Sequence, residues 1–264
     1  MTWTTRPRSE FGPLRGIRAG AGPSVVLLHG VGLRAEAWAA AMDALGSEYH
    51  LTAFDLPGHG ASPPLPKTAG LCDFTDAVAA AMDGPAVVVG HSMGAMIALD
   101  LAVRHSGLVQ GVAALSAIFQ RTCDAAQAVQ ARASALDGKT PVDPTITLQR
   151  WFGHATTAEA QACRGWLSTV DPAAYKQAYT IFAHADGPDA QALSDLHCPA
   201  LFCTGADEPN STPDMSRRMA QIAPRGRAEI VAGAAHMMPM THAAQVTAIL
   251  RRFLNDCAAL DQGR

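Results

Sequence analysis

A serine between two glycines lies where an apolar strand turns directly into a helix. The segment "VVVGHSMGAMIALDLA" (Val87–Ala102) begins with three valines and continues, after Gly-His-Ser-Met-Gly, into helix-forming residues. Gly90 and Gly94 leave room for a very tight strand-to-helix turn, which lifts the Ser92 hydroxyl clear of the sheet above a helix N-terminus. Ligands of open parallel sheets bind beyond the carboxyl ends of the strands. The segment therefore predicts a nucleophilic serine, with a chemically silent turn as the alternative.

Strands and helices alternate along most of the chain. The predicted strands are "VVLL", "YHLTAFDL", "AVVVG", "VQGVAALSAI", "PALFCTG" and "RAEIVAG", and helical segments separate most of them. This alternation predicts an α/β fold, with a mostly parallel central sheet covered by helices on both faces.

Residues 120–195 interrupt the alternation. They contain helix-like runs and no convincing strand, and they are far longer than an ordinary crossover between strands. We therefore expect a helical cap at 120–195, inserted into an α/β core made of residues 1–119 and 196–264. The alternative is a set of extra helices lying on the sheet.

Composition excludes several function classes. The chain has 264 residues and a formal net charge of −3, which does not favour a nucleic-acid or anionic-membrane partner. No apolar run approaches the roughly 18 residues of a membrane span, and the first residues lack a signal-peptide pattern. Six cysteines without a CxxC spacing indicate reduced thiols, with neither a disulfide nor a zinc site. We therefore expect a cytoplasmic protein.

A serine nucleophile needs a base, and the base needs an orienting acid. In an α/β sheet of this kind the chain order is serine, acid, histidine. Asp207 follows a predicted strand that ends at Gly205, and His236 follows the next strand and turn. The order predicts a Ser92–Asp207–His236 triad. The alternatives are residues at neighbouring strand ends or on the last helix: Glu208 and Asp55 for the acid, and His242 for the base.

The oxyanion of an acyl-transfer intermediate needs two fixed N–H donors. The backbone amide of Met93, directly after the nucleophile, is the first candidate. The second is the amide of Val31 in the loop "HGVG", where Gly30 and Gly32 permit a close approach.

Five motifs occur in order: "LLHGVG", "FDLPGHGAS", "VVGHSMGAMIA", "TGADEPNSTP" and "AGAAHMMP". From about residue 12 to residue 256 the chain resembles the α/β-hydrolase fold superfamily, specifically its small bacterial members with a helical cap. The resemblance implies a Ser92–Asp207–His236 triad and requires no metal or organic cofactor. The stretch after Asp207 is similar to 3-oxoadipate enol-lactonases, although Ala235 replaces the usual glycine before the histidine.

The cap is expected to set substrate choice. Candidate pocket residues are aromatic or cationic and lie in or beside the cap: Phe119, Arg121, Trp151, Trp166 and Tyr179. The alternative is that the aromatic rings only pack the cap onto the core and that the arginine is solvated.

We expect a serine hydrolase that cleaves a small-molecule ester or lactone through an acyl-enzyme on Ser92. A carbon–carbon bond hydrolase with the same triad is the first alternative. A ligand-sensing protein on the same fold is the second.

Overall fold

An eight-stranded sheet forms the centre of the protein in a computed structural model that describes residues 3–261. The strands are β1 (Ser9–Phe11), β2 (Leu14–Ala19), β3 (Ser24–Leu28), β4 (His50–Asp55), β5 (Ala86–His91), β6 (Val109–Leu115), β7 (Ala200–Gly205) and β8 (Gly226–Val231). Their spatial order is β1-β2-β4-β3-β5-β6-β7-β8. Every pair from β4 through β8 is parallel, and the two pairs that involve β2 are antiparallel. The predicted mostly parallel sheet is confirmed.

The hairpin formed by β1 and β2 was not among the predicted strands. Its turn contains Gly12, whose φ of +50° suits glycine and few other residues. β1 has only three residues, and the β2 sequence "LRGIRA" is interrupted by two arginines and a glycine, so neither shows the apolar run that identifies the central strands.

Helices cover both faces of the sheet. They are α1 (Ala39–Leu45), α2 (Leu71–Ala81), α3 (Met93–Arg104), α4 (Cys123–Ser134), α5 (Thr145–Phe152), α6 (Ala158–Thr169), α7 (Pro172–His184), α8 (Ala190–Ser194), α9 (Pro213–Ile222), α10 (Met238–Thr241) and α11 (Ala243–Asp261). Alternate side chains of β5 enter two separate cores: Val88 packs with Ile97 of α3, whereas Val89 packs with Phe253 of α11. A strand buried on both faces reads as a continuous apolar run, which is why β5 was easy to predict.

Five helices, α4 to α8, occupy the segment between β6 and β7, and no strand lies in it. α4 packs against α7, and α5 packs against α6. Threonine or aspartate side chains accept a hydrogen bond from the first turn of four of them, at Thr122, Thr157, Asp171 and Asp189. That these helices form an inserted cap stays a prediction, as does the exact division at residues 119/120 and 195/196.

Candidate active site

Ser92 lies at the turn between β5 and α3 with φ +57° and ψ −118°, a strained conformation for a residue with a side chain. A β-carbon at Gly90 would collide with the Gly94 carbonyl, and one at Gly94 would collide with the Leu28 carbonyl. Both glycines are therefore needed for the turn. The Ser92 amide donates to the Leu115 carbonyl at 2.8 Å, which fixes the nucleophile candidate to β6.

His236 is held by a buried carboxylate. Its Nδ1 lies 2.8 Å from Glu208 Oε2, and the Glu208 side chain is fully buried. The other oxygen, Oε1, accepts the amides of Asn210 at 2.8 Å and Ser211 at 3.3 Å. Burial opposes ionisation of this carboxyl, but the imidazole and the two amides outweigh it and lower the pKa of Glu208 to about 2. Glu208 is therefore ionised at neutral pH.

Asp207, the predicted acid, does not contact His236. Its side chain is exposed, and its amide donates to the Ala234 carbonyl at 2.9 Å. The choice of Asp207 was therefore wrong, and the alternative, Glu208, occupies the position beside the imidazole. One signal in the sequence could have separated them. Pro209 follows Glu208 and restricts the backbone, so that the next two amides turn back onto the Glu208 carboxylate.

Two aromatic side chains flank the His236 ring. His91, the residue before Ser92, places Nε2 2.8 Å from the His236 carbonyl oxygen. Complete burial, together with the neighbouring His236, lowers the pKa of His91 to about 3. His91 is therefore neutral and donates through its ring N–H. On the other side, the Trp151 ring stacks on His236 at 5.6 Å between centroids and 23° between planes.

The loop after β3 approaches the nucleophile closely. A β-carbon placed on Gly30 would lie 3.1 Å from Ser92 Cβ, so the loop runs beside the serine. Val31 lines the same cavity as Ser92, and Met93 begins α3 directly after it. Within residues 3–261, neither the Val31 amide nor the Met93 amide donates a hydrogen bond to the protein. Their predicted role as oxyanion donors stays a prediction.

Two buried histidines hold this loop in shape. The Gly32 amide donates to His59 Nε2 at 3.0 Å, and the Leu56 amide donates to His29 Nε2 at 2.9 Å. Because each Nε2 accepts a hydrogen bond, the ring proton is on Nδ1 in both histidines. The Nδ1–H of His29 donates to the Gly30 carbonyl at 2.7 Å. Burial lowers the pKa of both rings, to about 3 for His29, and keeps them neutral.

Ser92 and His236 line the same cavity, which opens to solvent. Three of the predicted pocket residues line it: Arg121, Trp151 and Tyr179. The other two do not. Phe119 is buried beneath Arg218, whose Cζ lies 5.3 Å from the phenyl centroid. Trp166 lines a separate cavity, and the Arg34 guanidinium lies 5.5 Å from its ring centroid.

Three arginines reach the cavity wall. Arg132 Nε donates to the Tyr179 hydroxyl at 3.2 Å, and Arg150 Nη2 donates to Thr147 Oγ1 at 3.3 Å. Arg121 donates to main-chain carbonyls of the cap, including that of Phe182 at 3.2 Å. Within the described part of the chain none of the three arginines forms an ion pair with a carboxylate. The only other arginine between residues 120 and 195 is Arg164, which does not line the cavity, and no sequence signal separates it from Arg132 and Arg150.

Comparisons with known proteins identify the family of this chain. The model of the alpha/beta hydrolase family matches residues 25–249, and the chain belongs to that family. It is an enzyme of the hydrolase class.

The chain is similar in sequence to two named relatives and in fold to one solved structure. A protein of Acinetobacter baylyi named (E)-2-((N-methylformamido)methylene)succinate hydrolase is 37% identical over 241 residues, covering 89% of this chain and 91% of that protein. A pimeloyl-[acyl-carrier protein] methyl ester esterase of Chromobacterium violaceum is 35% identical over 78% of this chain and 84% of its own. The enol-lactonase of Burkholderia xenovorans LB400 shares the fold, with a TM-score of 0.81 at 22% identity over 94% of this chain and 100% of its own.

Across residues 3–261 no cluster of three or more histidine, cysteine or acidic side chains is arranged to hold a metal ion. None of the helices in that range combines the length and apolar character that crossing a bilayer requires.

Proposed function

We propose that the protein is a serine hydrolase in which Ser92 is the nucleophile, His236 the general base and Glu208 the group that orients the imidazole. The observation that carries this proposal is the 2.8 Å contact between Glu208 and His236 in the cavity that Ser92 also lines. Since Glu208 occupies Nδ1, Nε2 is the ring nitrogen left to accept the serine proton.

The reaction follows from these positions. Ser92 Oγ attacks the substrate carbonyl carbon as its proton passes to His236 Nε2, and ionised Glu208 stabilises the resulting imidazolium. The amides of Val31 and Met93 donate to the oxyanion. When the intermediate collapses, His236 returns the proton to the leaving group and an acyl-enzyme remains on Ser92. Water then attacks the acyl carbon by the same route and releases the acid.

Covalent labelling tests the nucleophile. A 4-nitrophenyl phosphonate is expected to add one phosphonyl group per chain at Ser92 and to release one equivalent of nitrophenol. S92A should take up no label and should hydrolyse no ester. Ser116 provides a matched control, because it is also buried, has φ +52° and has an unpartnered hydroxyl, yet does not line the cavity.

S116A should therefore label like the unmodified protein. Ester turnover by S92A, or a phosphonyl group found on another residue, contradicts the assignment. Sustained turnover after the first equivalent supports an enzyme, whereas a single burst of product supports the ligand-sensing alternative.

The substrate that we propose is a small acyl compound bearing one or two carboxylates. Arg121, Arg132 and Arg150 line the cavity, and among residues 3–261 none of them is ion-paired with a carboxylate. Guanidinium groups bind carboxylates strongly and with defined geometry. The relative from Acinetobacter baylyi is named for a substituted succinate, which is a dicarboxylate.

The scissile bond is an ester or lactone in our first proposal. The name of that relative favours a second, an N-acyl bond of an amidomethylene succinate. A carbon–carbon hydrolase with the same residues would instead cleave vinylogous 1,5-diketones and act poorly on esters, so one substrate panel distinguishes the three.

Removing cap arginines tests the proposed anionic substrate. R132Q and R150Q are each expected to lower kcat/KM for the monomethyl ester of succinate by about 10- to 100-fold, since a hydrogen bond to a charged group contributes about 1.5–3 kcal/mol. Dimethyl succinate, which has no charge, should be hydrolysed within about threefold of the unmodified rate. Steady-state kinetics on the two esters measures the difference.

R164Q is the matched control, because Arg164 is on the exposed face of α6 and does not line the cavity. Equal losses on the charged and the neutral ester would contradict a carboxylate-binding role.

A further inference from the structure

The hydroxyl of Ser211 is buried beside the candidate active site without a hydrogen-bond partner. The residue is 1% exposed and lines the cavity that contains Ser92 and His236. Its Oγ forms no hydrogen bond with any residue in the described range. A buried hydroxyl without a partner destabilises a folded protein, and such groups are rare unless a ligand completes them.

The backbone of Ser211 is fixed from both directions. Its amide donates to Glu208 Oε1 at 3.3 Å, and its carbonyl accepts from the Thr204 hydroxyl at 2.7 Å. The chain at this point cannot shift to bring Oγ to a protein acceptor without breaking one of these bonds. The hydroxyl can therefore change its direction mainly by rotation about χ1.

Ser211 lies on the imidazole side of the cavity. Its amide and His236 Nδ1 bind the two oxygens of the same carboxylate, that of Glu208. His236 is the group that would return a proton to the departing atom. Because Ser211 lines the cavity as well as bonding Glu208, a leaving group that extends past the imidazole toward Glu208 can reach the Ser211 side chain, whereas the arginines of the cavity wall come from the cap.

We propose that Ser211 is a specificity-determining residue whose hydroxyl donates a hydrogen bond to an acceptor atom on the leaving group. The favoured leaving group carries an ether, carbonyl or carboxylate oxygen near the scissile bond. This inference rests on the serine-hydrolase function proposed above, and it adds a preference that the triad alone does not supply. Asn210, whose side chain also lines the cavity, extends the same polar wall.

Two esters of nearly equal size isolate this contact. The 2-methoxyethyl and n-butyl monoesters of succinate differ by one ether oxygen in place of a methylene group. The unmodified enzyme should prefer the methoxyethyl ester in kcat/KM. S211A should lose about 10-fold on the methoxyethyl ester and change by less than about twofold on the butyl ester, because a site built to donate a hydrogen bond discriminates through that bond. S211T, which keeps a hydroxyl, should restore part of the preference.

Ser216 gives the matched control. Its hydroxyl is equally buried and equally without a partner, but it is on α9 and does not line the cavity. S216A should leave both the kcat/KM of each ester and their ratio unchanged. The thermal midpoint of S211A should be no lower than that of the unmodified protein, since the variant loses an unpaired hydroxyl.

Each failure has its own signature. The role of Ser211 is overturned if the unmodified enzyme shows no preference between the two esters, or if S211A loses equally on both. In either case an inactive S92A still supports the proposed serine-hydrolase function. Full activity of S92A on these esters overturns the proposed function itself.

Discussion

The E208Q variant is expected to lose about 10³- to 10⁴-fold in kcat, whereas D207N should stay within about threefold of the unmodified enzyme. The reason lies in the two oxygens of Glu208. Oε1 accepts two backbone amides, which can only donate, and Oε2 accepts from His236 Nδ1. A glutamine must give its single oxygen to the amides and so turn its NH₂ group toward Nδ1. The imidazole proton is then displaced to Nε2, and the ring can no longer accept a proton from Ser92.

The measurement is kcat on a short-chain ester at neutral to mildly alkaline pH, with covalent labelling of Ser92 as a second readout. D207N is the matched control, because it makes the same chemical change one residue earlier on an exposed side chain. A severe loss in D207N with near-normal kcat in E208Q would reverse the assignment of the acid. Similar losses in both variants would contradict the claim that the two Glu208 oxygens fix the tautomer of His236.

The parts of this molecule that sequence predicts well are those set by local rules. Gly90 is needed because a β-carbon would meet the Gly94 carbonyl four residues later, and the apolar run of β5 reflects burial on both faces. The requirement for Gly94 comes instead from Leu28 of β3, although the pattern Gly-x-Ser-x-Gly already indicates the turn. His236 follows a strand and a turn in an order that few folds share. These features could be identified without any knowledge of tertiary contacts.

The acid was mispredicted because two adjacent carboxylates fit the same chain order. What separates Asp207 from Glu208 is the direction of a turn, and that direction depends on Pro209 and on the bond from Asp207 to the Ala234 backbone. The second contact joins two loops, and sequence spacing does not reveal it.

The residues of the cap that reach the site were also predicted only in part. Trp151 and Trp166 are both aromatic residues on cap helices, but only Trp151 stacks on His236. Which face of a cap helix covers the site depends on how α5 and α6 pack together, and composition carries no information about that.

The hydroxyl of Ser211 was overlooked for a different reason. Its importance comes from the absence of a partner, which is a property of the folded protein.

Arg8, near the start of the chain, has a structural role that the sequence does not indicate. Arg8 lies in the opening stretch "MTWTTRPRSEF", which has no apolar pattern, and it joins two buried carboxylates. Its guanidinium binds Asp55 at 2.7 Å and Glu36 at 2.7 Å, and both acidic side chains are fully buried. Asp55 in turn accepts the amides of Ala35 and Ala61, each at 2.9 Å. One cation thus connects the N-terminal segment to the loops on either side of β4.

R8M is expected to lower the free energy of unfolding by about 3–5 kcal/mol at pH 7. Methionine fills a similar volume but leaves Asp55 and much of Glu36 as buried carboxylates with reduced compensation, and removing one partner of a buried ion pair costs about this much. Arg34, 3.1 Å from Glu36, retains part of the pairing. Urea denaturation followed by circular dichroism measures the change.

The loss should shrink in acid. Burial raises the pKa of both carboxyls, but the bonds to Arg8, together with backbone amides and, for Glu36, the charge of Arg34, outweigh it and lower the pKa values of Asp55 and Glu36. A lowered folded-state pKa stabilises the protein fully above the unfolded value, and this contribution is lost as pH falls through the folded value. R8M lacks most of this contribution, so its difference from the unmodified protein should narrow as pH falls below about 4.

R18Q supplies the comparison for this prediction. Arg18 pairs with Asp83 at the surface, where both side chains are largely exposed, and such pairs contribute about 0–1 kcal/mol. R18Q should therefore unfold within about 1 kcal/mol of the unmodified protein at any pH. If R8M proved as mild as R18Q at pH 7, or if its deficit grew in acid, Arg8 would not be the cation that keeps these two carboxylates ionised inside the fold.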